Sequence, residues 1–91
     1  MVDISSNTEF FALLRGLIGT WCDRHALRPL SLVLGPYMAF NGLTDSWGEL
    51  VTVLKAVRAQ CRKDIPEAEM DTVRDLIRAA EAVISRHLNP N

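Results

Sequence analysis

The stretch that most constrains this chain is "IPEAEMDTVRDLIRAAEAVISRHL", residues 65–88, in which apolar residues recur at helical spacing with no glycine to interrupt them. Met70, Val73, Ile77, Ala80, Ile84 and His87 follow one another at steps of three and four, flanked by Leu76 and Val83, which is the broad apolar face of a bundle helix. Opposite them, Glu67, Asp71, Arg74, Arg78, Glu81 and Ser85 make a hydrated stripe. Pro66 suits a first turn, where its missing N–H has no helical partner to lose. Glu67, Glu69 and Asp71 meet the positive end of the helix dipole, and Arg86 and His87 its negative end. The pattern predicts a helix over 66–88, with "LNPN" as a frayed tail, and the other residues have to cover its apolar face.

They are punctuated for helices too. Ser6-Asn7-Thr8-Glu9 reads as a capping box directly before Phe10 and Phe11. A first helix is expected over 6–27, with Phe10, Leu14, Leu17, Ile18, Trp21 and His25 on its core face, ending where Pro29 pushes Arg28 out of the α region. Its back carries Ala12, Gly16, Gly19 and Asp23, which are so small that a neighbour can approach closely. That neighbour is either a second helix of the same chain or a partner subunit.

Next comes "PLSLVLGPYMAFN", apolar on nearly every side, read as a helix over 30–41 and expected to be the most central of the set. Pro36 cannot donate to the Leu32 carbonyl, so a kink, or two short helices meeting, is expected at Gly35-Pro36. The orphaned carbonyl then calls for a polar neighbour or a solvent-reaching notch. The alternation Leu30, Leu32, Leu34 also suits a strand, but no other segment offers it a partner strand. Asn41 or Gly42 can take the left-handed conformation that closes a helix, and Ser46 with Glu49 forms a second capping box. A third helix follows over 45–62, with Trp47, Leu50, Leu54, Val57 and Cys61 on one face and Lys55, Arg58 and Arg62 along its edge.

The fold class that results is all-α: one domain over 1–91, a compact bundle of about four helices. Composition agrees, with 48% apolar and 23% charged residues. Ten basic against eleven acidic residues give a net charge of −1, which removes the usual electrostatic reason to expect nucleic acid or an anionic membrane as main partner. The longest uncharged run, Pro29 to Thr44, is sixteen residues long and broken by Gly35, Pro36 and Gly42, short of the roughly 20 apolar residues of a spanning helix. Acids stand in "MVDISSNTEF" where a signal peptide carries basic residues, so a cytoplasmic location is expected. Cys22 and Cys61 lack disulfide-framework spacing and are expected to be buried free thiols.

Few residues suggest chemistry. Cys22, His25, Cys61 and His87 include only one local pair, without the paired knuckles of a zinc site, so no metal or cofactor is expected. A Cys22–His25 nucleophile pair lacks an electropositive cleft and a third group to orient the imidazole. No phosphate loop, nucleophile elbow or dinucleotide fingerprint is present, and the chain does not read as an enzyme.

Three function classes remain. The leading one is a protein-interaction module, self-associating as a homo-oligomer. It docks through Ala12, Gly16 and Gly19 or through Tyr37, Phe40 and Trp47 beside Gly35 and Pro36, since tyrosine and tryptophan are enriched at interfaces. The second is a nucleic-acid-binding regulator in which 30–62 forms a helix-turn-helix with Lys55, Arg58 and Arg62 on phosphates; inward-facing Trp47, Leu50 and Val51 argue against it. The third is a carrier for a small apolar ligand lodged near Tyr37 and Phe40.

Overall fold

The structure, a computed structural model, describes residues 7–88. Its elements are α1 (Asn7–Asp23), α2 (Leu27–Met38), α3 (Thr44–Gln60) and α4 (Glu67–Leu88). Connections 24–26, 39–43 and 61–66 are too short to cross the molecule, so each helix packs beside the next, and α1 closes the ring against α4. Arg28 at the start of α2 reaches the end of α3 at Gln60, and Trp21 near the end of α1 reaches Glu69 at the start of α4. Neighbours therefore run antiparallel, and the chain is an all-α four-helix bundle with no strand among the described residues.

The periodicity read from the sequence is the periodicity of burial. Phe10, Leu14, Leu17, Ile18 and Trp21 of α1 are buried, as are Trp47, Leu50, Leu54 and Val57 of α3 and, just past its end, Cys61. From α4 come Met70, Val73, Leu76, Ile77, Ala80 and Val83, with Ile84 half-buried at the margin. Each large apolar side chain taken fully out of water contributes about 1.5–3 kcal/mol, and the most extensive contact runs along α3 and α4. Ser6 of the expected capping box and the His87 side chain lie outside the described residues.

Several expectations are corrected by the geometry. The first helix ends at Asp23, and His25 is not on its core face but exposed, with a left-handed φ of 57°. The Ala26 N–H donates to the Trp21 carbonyl at 2.8 Å and the His25 N–H to the Cys22 carbonyl at 3.2 Å, which closes α1 as a Schellman turn with histidine where glycine is usual. The stop is therefore local, made before Pro29 has any part in it. Pro29 does sit in the first turn of α2, as the sequence leads one to expect, where helix N–H groups have no partner in any case.

α2 is not central. It fully buries only Pro29 and Val33, because one side of the helix faces α1 and α3 and the other faces water. Nor does Pro36 divide it: the helix runs unbroken to Met38, since a proline this near the end removes a single bond from the last turn. Ala39 then donates to the Gly35 carbonyl at 3.0 Å, ending the helix three residues sooner than expected.

α3 starts at Thr44, so Ser46 is already inside the first turn and does not cap it. Its N-cap is Leu43 in extended conformation, with no side-chain cap bond. The Ser46 hydroxyl pairs instead with the Asn41 side-chain oxygen, which also accepts the Leu43 N–H at 3.0 Å. Gly42, at φ 85°, supplies the left-handed residue of this turn, a conformation that costs a side-chain-bearing residue roughly 1 kcal/mol. Cys22 is exposed rather than buried, because α1 turns that position away from the bundle; Cys61 alone behaves as the buried thiol.

Candidate functional site

The α2–α3 corner gathers five of the chain's six aromatic residues. Phe40 packs edge-on against Trp47, ring centres 5.0 Å apart at 83°, and Trp47 meets Phe10 at 5.1 Å and 68°. Phe11 links the two helices, 4.8 Å from Phe40 and 6.4 Å from Tyr37. Such tilted and edge-to-face pairs each add about 0.5–1.5 kcal/mol beyond the area they bury. Trp47 is enclosed by its own chain at 2% exposure, whereas Phe11, Tyr37 and Phe40 are half-buried and form the outer layer. Gly35, exposed, and Pro36, half-buried, lie in the last turns of α2. The only mark of Phe11 in the sequence is its adjacency to Phe10, since two neighbouring helical residues sit about 100° apart and cannot share one narrow face.

α2 also carries an apolar stripe whose two ends its own chain leaves open. Leu27 is 67% exposed and Met38 75%, and Leu30 and Leu34, at helical spacing between them, are half-buried. No charged residue stands in the stripe, Ser31 being its one polar member. Leu43, in the connection beyond, is 64% exposed.

The other candidate face behaves differently. Ala12, Gly16 and Gly19 are exposed, and a Cβ added at either glycine meets nothing within 4 Å. Among the described residues no helix closes on this face, so the neighbouring helix of the same chain expected there is not found. Among the described residues, no three His, Cys, Asp or Glu side chains converge as metal ligands would. Cys61 sits between the charges of Arg28 and Asp64, and burial, reinforced by Asp64, pushes its thiol pKa up, which makes it a poor nucleophile.

A polar clamp between α1 and α4 went unread in the sequence. The Trp21 indole N–H donates to Glu69 Oε1 at 2.8 Å, and Arg24 forks onto both carboxylate oxygens at 2.7 and 2.8 Å. Trp21 is fully buried, so Glu69 provides the acceptor that its one donor needs. The Arg24 fork holds the Glu69 carboxyl below its ordinary pKa, and the Trp21 bond adds to this against the opposing cost of burial. The clamp is structural: all three partners are engaged with one another, leaving no group poised for chemistry.

No helix among the described residues is long and apolar enough to cross a membrane. Comparison with protein-family models, with curated proteins and with solved structures returned no match.

Proposed function

We propose that this protein is a small non-enzymatic helical module that acts by protein contact, and that it self-associates through the outer face of α2. The observation that carries the reading is the uncharged stripe Leu27, Leu30, Leu34, Met38, apolar along the whole helix and open to water at both ends. Half-buried Leu30 and Leu34 join the two exposed ends into one uncharged apolar edge, and exposed apolar surface of this kind suits a protein contact. A stripe without charges gives a charged partner nothing to read, whereas a two-fold axis lays it against itself, with Leu27 of one copy near Met38 of the next. At 1.5 Å per residue the helix from Leu27 to Met38 is about 17 Å long, room for two to three turns of such a contact. The aromatic corner supports it from behind, because Phe11, Tyr37, Phe40 and Trp47 fix the end of α2 against α1 and α3.

Light scattering or sedimentation tests this. The wild-type chain is expected to show a concentration-dependent dimer, and Leu27→Glu/Met38→Glu to be monomeric, with the melting temperature of the wild-type chain at dilutions where it too is monomeric. A wild-type chain that stays monomeric into the millimolar range sinks the self-association.

A further inference from the structure

We propose that the open notch between the start of α2 and the end of α3 binds a phosphate group. The concavity has a volume of about 410 Å³, within the range of small-ligand sites, and is lined by Arg28, Gln60, Arg62, Lys63 and Asp64. Two separate elements bring its three cations together, so the cluster is a product of the tertiary fold. None of the three forms an ion pair with another described residue.

The surface offers an internal contrast. A second concavity on α4 is lined by Asp71, Arg74, Asp75 and Arg78, where two acids balance two bases; Arg74 lies 2.7 Å from Asp71 and Arg78 2.6 Å from Asp75. In the α2–α3 notch, three cations face one acid, Asp64, and the end of α3, whose dipole carries roughly half a negative charge. The balance is about +1.5 in a chain whose net charge is −1. Asp64 and the helix end together offset about half of the three positive charges and leave the other half without a counter-charge.

Arg28 donates to the Gln60 carbonyl at 3.5 Å, a long bond that engages one of its five N–H groups. The remaining donors, with those of Arg62 and Lys63, suit the oxygens of a phosphate, which arginine recognises with paired bonds. Bound phosphate also relieves the mutual repulsion of the three cations. This site is independent of self-association, which rests on the apolar stripe of α2.

The test is an NMR titration of the full chain with pyrophosphate in low-salt buffer. Expected are saturable shifts confined to the amides of residue 28 and residues 59–64. Affinity should fall about tenfold or more in Arg62→Ala/Lys63→Ala and stay unchanged in Arg78→Ala and in Met38→Glu. Shifts that rise linearly and spread over the surface, or equal affinity in the double variant, overturn the proposal. A short single-stranded oligonucleotide serves as the second probe. Binding at these amides no tighter than pyrophosphate supports a small phosphate ligand; binding tighter by about tenfold or more reassigns the notch to a nucleic-acid backbone and overturns it.

Discussion

α2 is the most apolar of the four helices on average and buries the least, while α4 is the least apolar and contributes six buried core side chains. The difference lies in arrangement. α4 sorts its residues sharply, with Val73, Ile77 and Ala80 on one side and Asp71, Arg74 and Arg78 on the other, so a single orientation satisfies it. α2 is apolar around most of its circumference, so it can satisfy one side against α1 and α3 and still present Leu27 and Met38 to water. Apolar content without segregation leaves part of a helix face exposed, and that excess is why the proposed self-association is placed on α2.

Truncating Trp47, where the aromatic corner meets the core, tests the packed side of this contrast with the largest effect. Trp47→Ala is expected to cost about 3–5 kcal/mol by denaturant melting, against a total stability of roughly 5–15 kcal/mol for a domain. A loss under about 1 kcal/mol shows that the corner is loosely held and that the contrast is overdrawn. Half-buried Tyr37, on the α2 side, should cost distinctly less when truncated.

The clamp gives the next effect. Glu69→Ala leaves the buried Trp21 N–H without its acceptor and Arg24 without its partner, for about 1–3 kcal/mol; Glu69→Gln keeps an acceptor oxygen and should cost less. Because the folded Glu69 pKa lies below its unfolded value, its contribution is full above the ordinary glutamate value of about 4.3 and is lost as pH falls through the folded value. Wild-type stability should therefore decline below that pH more steeply than that of Glu69→Gln. Parallel acid curves remove the charge of Glu69 from the account of how α1 is held to α4.

His25→Gly should raise stability by up to about 1 kcal/mol, since glycine accepts the left-handed φ of 57° without a Cβ penalty. A loss instead of a gain means that the imidazole makes a contact worth more than the strain. The smallest effect on folding, within about 0.5 kcal/mol, is expected for Leu27→Glu and Met38→Glu, read by thermal melting. A large loss there shows the stripe to be part of the core and erases the distinction between α2 and α4.

How far the site was legible depends on range. Tyr37, Phe40 and Trp47 stand out in the sequence as aromatics around a glycine-rich turn, and the structure brings them together; which of them faces outward depends on Phe10 and Phe11, about thirty residues away. The Trp21–Glu69 bond spans 48 positions, and no local pattern announces it: Glu69 reads equally well as a residue serving the dipole of its own helix.

What the sequence determined by itself was the number of helices, their type and which side of α1, α3 and α4 turns inward, because propensity and a period of 3.6 residues act within a few turns of chain. Tertiary structure alone decided that α2 lies at the flank, that the Gly16–Gly19 face stays uncovered, and that Arg28 joins Arg62 and Lys63 around one notch. Each of these depends on which helix lies beside which. A helix that is apolar nearly all round fits several such arrangements, and the choice falls to the summed burial of the other three, not to any pattern in its own residues.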